Sequence, residues 1–166
     1  MYKRQVWHIP FNRVDKVPEQ LIRGREDIYF GYEFAIQAGK KLREDVVRYY
    51  VRLVSNPESL RGSLGFYRAW DETVEQNAQR KNRPLTMPVL AIGGAASWGE
   101  LVGNEMKLLA TNVQSVVIPG TGHWVAEESP KALLAVLTPF LAPYRDASAA
   151  AHTPRPRAAT ASRSLG

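Results

Sequence analysis

The sequence predicts an α/β fold in which a helical segment, residues 6–83, precedes two strand–helix units, residues 84–144. The first segment spaces its apolar residues at intervals typical of amphipathic helices. The second contains two short apolar runs, "MPVLAIGG" and "VQSVVIP", which are typical of buried parallel strands. A helical pattern follows each run, and this alternation indicates a layered α/β arrangement. The length of 166 residues allows one domain of ordinary size.

The helical segment is predicted to begin with irregular chain over residues 6–18 and to continue as three helical regions. The first helix is expected over Pro18–Ala38, because proline suits a first helical turn and Gly39 suits a C-terminal stop. The second is expected over Leu42–Val54 and the third over Leu60–Lys81.

The strand–helix units are predicted to contain strands over Met87–Gly94 and Val113–Pro119. A helix, "ELVGNEMKLLA", lies between them, and a closing helix covers Glu127–Leu141. Two strands are too few for a stable parallel sheet, which needs neighbouring strands and cover on both faces. We therefore expect the chain to be the C-terminal part of a longer protein.

The two ends of the chain differ in composition from the middle. Residues 1–5, MYKRQ, resemble the translation of a transposase adaptor end used in sequencing libraries, so we predict an adaptor-derived scar there. Residues 145–166 are rich in Ala, Ser, Thr, Pro and Arg and contain no aromatic residue. Such a segment buries too little apolar surface to offset its ordering entropy, and it is predicted to be disordered.

The formal net charge of +6 is concentrated at the ends of the chain. Lys3 and Arg4 contribute two positive charges and residues 145–166 a net three, which leaves +1 for residues 6–144. A nucleic-acid binder usually carries a basic face on its folded part, so we predict no nucleic-acid partner. The sequence has no cysteine, which excludes disulfides and thiolate metal sites. No bilayer-length apolar run or secretory signal is visible, and we expect a cytoplasmic protein without membrane association.

His123 lies in the run "GTGHWVAEESP", a glycine-containing turn between the second predicted strand and the closing helix. In open α/β sheets, ligand sites lie beyond the carboxyl ends of the strands. An imidazole placed there can act as a general base near neutral pH; the alternative is a turn histidine bonded to the backbone. Glu127 and Glu128 follow at the predicted start of the closing helix, where anionic side chains suit the helix dipole.

Together, "MPVLAIGG" and "VVIPGTGHWVAEESPKALLAVLTPFL" resemble the C-terminal end of an α/β-hydrolase of the epoxide hydrolase and haloacetate dehalogenase group. The pieces "VWHIPF", "PEQLIRGREDIYF" and "LRGSLGFYRAW" resemble the helical cap of that group. The resemblance covers nearly all of residues 6–144. It implies part of an α/β-hydrolase fold, with a helical cap, residues 6–83, followed by the last two parallel strands and helices of the core sheet, residues 84–144.

The resemblance also implies a reaction. In that group an Asp carboxylate on a strand-to-helix elbow attacks carbon to form an ester, and a histidine-activated water then hydrolyses the ester. His123 matches this histidine. The sequence has no aspartate in a Gly-x-Asp-x-Gly elbow after a strand and no Gly-x-Ser-x-Gly elbow, so the nucleophile is expected upstream in an intact parent protein. This chain alone is expected to be inactive, and the resemblance implies no cofactor and no metal.

The resemblance assigns further residues to the leaving group. Tyr67 in "GFYRAW" matches the cap tyrosine that donates a hydrogen bond to an epoxide oxygen or helps to hold a halide. Trp7 and His8 match a Trp-His pair that completes the halide site in the dehalogenase. Epoxide-hydrolase-like members carry the same pair, and packing within the cap is the alternative for both residues. Trp124 is expected either to line the pocket or to pack under the closing helix.

Two positions are open for the acid that orients the histidine. One is the loop after "MPVLAIGG", where Ala95, Ala96 and Ser97 are not acidic and Glu100 can serve only if the loop folds back. Glu100 is otherwise a helix-start carboxylate that faces solvent. The other position follows the preceding strand, before the cap. We favour this second arrangement, which places the acid outside this chain.

The leading hypothesis is that the intact parent hydrolyses an epoxide on a small apolar molecule. Haloacetate dehalogenation by the same ester chemistry is the first alternative. The second is a non-catalytic relative that binds a small apolar ligand under the cap.

Overall fold

The structure, a computed structural model, describes the backbone of residues 6–151 and the side chains of residues 6–145. The predicted scar at residues 1–5 therefore lies outside the described residues. Residues 6–83 contain six helices: α1 (His8–Arg13), α2 (Val17–Ile22), α3 (Glu26–Gln37), α4 (Glu44–Val54), α5 (Pro57–Arg68) and α6 (Trp70–Arg80).

The helical segment is more divided than its apolar spacing predicts. The single helix expected over Pro18–Ala38 is wrong, because the chain breaks between α2 and α3 at Gly24, whose φ of 75° is left-handed. The third helical region likewise consists of two helices, α5 and α6. It begins before Leu60 because the side chain of Asn56 accepts a hydrogen bond from the Ser59 N–H (2.9 Å) and caps α5.

Three buried residues form the core of the helical segment. Ile22 of α2 packs with Leu60 and Leu64 of α5, and Phe11, Tyr29 and Phe30 pack around them. Residues 6–18, expected to be irregular, contribute α1 to this core. This packing places α1 and α5 side by side, which decides where their polar side chains lie.

The strand–helix units form a two-stranded parallel sheet. Strand β1 (Val89–Gly94) pairs with β2 (Val113–Ile118), with Val89 opposite Val113 and Gly94 opposite Ile118. Helix α7 (Glu100–Lys107) connects the two strands and packs on both of them. A short helix, α8 (Val125–Glu128), follows β2. The predicted α/β class, helices followed by two parallel strands with their helices, is confirmed.

The closing helix, α9 (Pro130–Ala151), extends beyond its predicted end at Leu141 and continues through residues 145–151. Those residues were expected to begin a disordered tail, whose remainder, residues 152–166, lies outside the described residues. Pro139 and Pro143 both lie inside this helix. Within residues 6–151, no helix combines the length and the apolar character needed to cross a membrane.

The helical segment meets the sheet at three glycines, where backbones approach too closely for any side chain. A Cβ atom on Gly94, at the end of β1, would overlap the carbonyl oxygen of Gly122. A Cβ atom on Gly122 would overlap the N–H of Gly39 and would lie 2.5 Å from the carbonyl oxygen of Gln37. We call this contact the glycine seam (Gly39, Gly94 and Gly122). It joins the loop after α3 to the turn after β2.

Candidate active site

A cavity of about 350 Å³ lies where the helical segment meets the carboxyl end of the sheet. His123 and Trp124 line it from the turn after β2, and His8 and Tyr67 line it from α1 and α5. The other lining residues are Val6, Ile9, Gln37, Trp70, Ser97 and Trp98. The structure therefore brings together four of the six residues predicted to form the site.

The turn that carries His123, residues 119–124, is called here the histidine turn. Gly120 adopts a left-handed φ of 60°, which glycine tolerates without strain. Thr121 is fully buried, and its hydroxyl lies 2.7 Å from the hydroxyl of Ser129. The backbone N–H of His123 donates to the carbonyl oxygen of Gln37 (3.0 Å). The turn is thus anchored both to Ser129, the residue before α9, and to the end of α3.

The environment of His123 favours the neutral imidazole. Partial desolvation by the surrounding protein lowers the pKa of His123, although the residue is exposed on its open side, and the negative charge of Glu128 offsets part of this shift. No carboxylate among the described residues forms an ion pair or a hydrogen bond with the imidazole. A neutral imidazole at pH 7 can accept a proton from water.

Tyr67 is held as a neutral phenol. Burial raises its pKa above the usual value, the nearby charge of Glu33 adds to the increase, and a hydrogen bond with the Asn12 side chain opposes it. Asn12 is almost completely buried, and its Oδ1 also accepts a hydrogen bond from the Tyr29 hydroxyl (2.7 Å). A phenol with a raised pKa keeps its proton at neutral pH and can donate a hydrogen bond into the cavity.

His8 is backed by a buried carboxylate. Its Nδ1 lies 3.1 Å from Glu33 Oε2, and the Gln37 amide donates to the same oxygen (2.5 Å). All three residues are buried, with at most 8% of each residue's surface exposed. Desolvation raises the pKa of Glu33 to about 6, opposed by hydrogen bonds from Gln37 and Trp7. The His8 ring also meets the Tyr67 ring edge to face, with centroids 5.4 Å apart. We call His8 and Tyr67 the donor wall.

Trp124 connects the histidine turn to the helical segment. Its indole N–H donates to the carbonyl oxygen of Phe34 (3.2 Å), and its ring packs on the Phe34 ring, with centroids 4.6 Å apart. Its other neighbour is His123, whose ring centroid lies 4.9 Å away in an edge-on arrangement. Trp124 lines the cavity and packs against α3, so it combines the two arrangements expected for it.

Trp7 does not line this cavity, contrary to the predicted leaving-group site. Its ring packs with Phe11, Tyr29 and Tyr32 beside a separate groove of about 340 Å³. Its side chain forms a hydrogen bond with Glu33. The packing alternative therefore describes Trp7.

Glu100 is likewise absent from the cavity. It begins α7 as an exposed carboxylate in the first helical turn, which is the arrangement that the helix dipole favours. The loop does not fold back to bring it to His123. Within residues 6–151, no group of three His, Asp or Glu side chains is placed to bind a metal ion.

Three residues that support the donor wall were not predicted from the sequence: Asn12, Glu33 and Gln37. Glu33 and Gln37 are four residues apart and therefore share one face of α3. Polar residues rarely lie on the buried face of a mostly apolar helix. Their occurrence on that face of α3 is a signal that could have identified Glu33 and Gln37. Asn12 offered no such signal, because its stretch was expected to be irregular.

No protein-family model matches the sequence. The soluble epoxide hydrolase of Corynebacterium sp. (strain C12) is 30% identical over 102 residues, which are 61% of this chain and 35% of that protein. The structure of wild-type Cfl2 from Burkholderia cenocepacia matches at 31% identity with a TM-score of 0.75, over 82% of this chain and 47% of that one. Epoxide hydrolase CorEH matches at 25% identity with a TM-score of 0.75, over 85% and 51% of the two chains.

The chain therefore spans about half the length of these solved structures and about a third of the curated relative. Because the two structural matches cover 82% and 85% of this chain, the similarity includes residues of both the helical segment and the strand–helix units. In sequence and in fold, the chain corresponds to the C-terminal part of an epoxide hydrolase-like α/β-hydrolase.

Proposed function

We propose that this sequence, together with polypeptide that supplies an Asp nucleophile, hydrolyses an epoxide on a small, neutral, apolar molecule. We call that combination the complete enzyme. The observation that carries the proposal is the shared cavity, because it places a candidate base, His123, with two candidate proton donors, His8 and Tyr67. The relatives named as epoxide hydrolases support this reaction class.

The proposed reaction has two steps. In the first, the Asp carboxylate attacks an epoxide carbon, the ring C–O bond breaks, and the oxygen takes a proton from the donor wall as the hydroxyalkyl ester forms. In the second, His123 removes a proton from water, and the resulting hydroxide attacks the ester carbonyl. The acyl C–O bond then breaks, the diol leaves with the proton of the added hydroxide, and the carboxylate is restored. The proton that His123 removed from water returns to the donor wall, so both groups regain their starting protonation. The net reaction adds one water to the epoxide.

The lining of the cavity favours a neutral substrate over a haloacetate. Among the described residues, none of those lining the cavity is a lysine or an arginine, and the buried carboxylate of Glu33 lies behind the donor wall. A carboxylate substrate would therefore meet no lysine or arginine from the described residues in this cavity. Dehalogenation of a haloacetate remains the second candidate because Tyr and His donors also suit a halide.

Replacing the base tests the proposal most directly. In the complete enzyme, His123→Gln is expected to slow ester hydrolysis by about 10²- to 10⁴-fold, because no group then accepts the proton of water. Ester formation is expected to continue, so the ester accumulates and mass spectrometry of the quenched protein detects it. Full multiple turnover by this variant would show that the role of His123 is wrong.

Two controls define the reaction and the contribution of this chain. The 166 residues alone are expected not to turn over a styrene-oxide-type epoxide, because they hold no elbow nucleophile; measurable turnover would refute this. A haloacetate offered to the complete enzyme is expected to release no halide. Binding of an epoxide without ester formation in the wild-type protein would favour the non-catalytic alternative.

A further inference from the structure

The carboxylate of Glu128 binds four backbone N–H groups. Its Oε2 accepts hydrogen bonds from Gly39 (2.8 Å), Lys40 (3.0 Å) and Gly122 (2.8 Å), and its Oε1 accepts one from Trp124 (3.0 Å). Hydrogen bonds to a carboxylate are stronger than those between neutral groups. The arrangement concentrates four of them on one side chain.

These four donors belong to the two segments whose contact forms the site. Gly122 and Trp124 are the residues on either side of His123, so Glu128 holds the backbone on both sides of the candidate base. Gly39 and Lys40 belong to the loop after α3. One carboxylate therefore ties the histidine turn to that loop.

The neighbouring Glu127 has no comparable role. Its carboxylate accepts a hydrogen bond from the Tyr50 hydroxyl (2.5 Å) and is exposed. The sequence predicted that both glutamates occupy the first turn of the closing helix, as anions facing its dipole. That is wrong for both residues, because the closing helix α9 begins only at Pro130 and both glutamates lie in the preceding four-residue helix α8, which ends at Glu128. The position of Glu128 is explained by the backbone N–H groups that it binds.

We propose that Glu128 is a positioning residue, which holds the histidine turn against the loop after α3 so that the His123 imidazole faces the donor wall. The inference rests on the proposed function of His123. Glu128 touches no reacting atom in this scheme. Its effect is on the placement of the base, and a displacement of about 1 Å can slow an enzymatic reaction about 10²-fold.

Glu128→Gln tests the role because the variant keeps the size of the side chain but replaces one oxygen with an NH₂ group, which cannot accept the N–H bonds. In the complete enzyme, ester hydrolysis is expected to slow by roughly 10- to 100-fold. Ester formation and KM are expected to change little, so the ester accumulates. Glu127→Gln, which alters the adjacent exposed carboxylate, is the matched control and is expected to behave as wild type.

The pH profile separates positioning from a general loss of stability. The titratable groups near His123 are Glu128 next to the turn and His8 and Tyr67 across the cavity. The charge of Glu128 raises the pKa of His123. Removing that charge should therefore move the acid limb of the pH–rate profile for ester hydrolysis to lower pH. Loss of folded protein would reduce the rate without moving that limb.

The results discriminate between the two proposals. If His123→Gln traps the ester while Glu128→Gln hydrolyses it at the wild-type rate with an unmoved acid limb, the role of Glu128 is overturned and the proposed function stands. If His123→Gln traps no ester, the proposed function itself fails. If Glu128→Gln does not fold, amide hydrogen exchange of the wild-type protein decides. If the amide protons of Gly122 and Trp124 are protected as strongly as those of β2, the positioning role is supported. If they exchange at the rate of an exposed loop, the role is overturned.

Discussion

The two walls of the cavity are held in different ways. The histidine turn is fixed through its backbone, by the glycine seam, by the hydrogen bond from His123 to Gln37 and by the N–H groups that Glu128 binds. The donor wall is fixed through buried side chains, because Glu33 supports His8 and Asn12 supports Tyr67. We therefore expect the histidine turn to be displaced when one of its backbone contacts is disturbed. We expect the donor wall to be displaced when a buried group that supports it changes its charge or loses its hydrogen-bond partner.

The largest effect is expected from a substitution in the glycine seam, which holds the histidine turn. Gly122→Ala places a Cβ atom against the N–H of Gly39 and 2.5 Å from the Gln37 carbonyl oxygen, and backbone atoms cannot move aside as a flexible side chain can. We expect the free energy of unfolding to fall by about 3 kcal/mol, measured by chemical denaturation.

Gly62→Ala is the matched control for this prediction. Gly62 lies inside α5, and no atom lies within 4 Å of its added Cβ. It should raise the free energy of unfolding by up to about 1 kcal/mol, because alanine favours the helix. A loss of stability equal in the two variants would remove the glycine seam as the cause.

The next effect concerns the donor wall. Tyr67→Phe removes the hydroxyl and keeps the ring that meets His8. In the complete enzyme, ring opening is expected to slow by about 10²-fold, which corresponds to about 2.7 kcal/mol, because one donor to the developing alkoxide is lost. Single-turnover formation of the ester measures this step.

Tyr49→Phe, which removes a hydroxyl from an exposed tyrosine on α4, should leave the rate of ring opening unchanged. If the two variants open the ring at the same rate, Tyr67 does not donate in the transition state.

The smallest effect is expected in the pH dependence of stability, which the buried Glu33 behind the donor wall should cause. Because burial raises the pKa of Glu33 from 4.5 to about 6, the folded protein binds this proton more tightly than the unfolded chain does. The free energy of unfolding should therefore fall as pH rises from about 4.5 to about 6, by up to about 2 kcal/mol, and the loss persists above that range. Glu33→Gln should lack this dependence and should be the more stable protein at pH 7.

Chemical denaturation across pH 4 to 8 measures the difference, with the exposed Glu75→Gln as control. The control should stay within about 0.5 kcal/mol of wild type at each pH. A Glu33→Gln variant that keeps the wild-type pH dependence would show that another group causes it.

Much of the fold could be predicted because its signals are local. The two apolar runs identified the strands to within two residues at either end, and the turn after the second strand carries His123 at the edge of a cavity. The break at Gly24 was missed because apolar spacing continues across it. Whether a glycine interrupts a helix there depends on the packing of α2 and α3 on either side.

The site was predictable only as far as the matched motifs extended. His123, Tyr67, His8 and Trp124 line the cavity, whereas Trp7, adjacent to His8, turns to another surface because successive helical residues point about 100° apart. Glu33 and Glu128 act through partners distant in sequence, and no local pattern specifies such partners. The sequence showed Glu128 only as a charge near a helix.

Helix α3 has a consequence for the spacing of the site. Glu33 contacts His8, and one turn later the backbone of Gln37 holds His123. A single helical turn rises about 5.4 Å, so α3 sets the spacing between the residue that supports His8 and the residue that holds His123. Inserting or deleting one residue between Glu33 and Gln37 would rotate one contact by about 100° relative to the other. Helix α3 therefore couples the position of the donor wall to the position of the histidine turn.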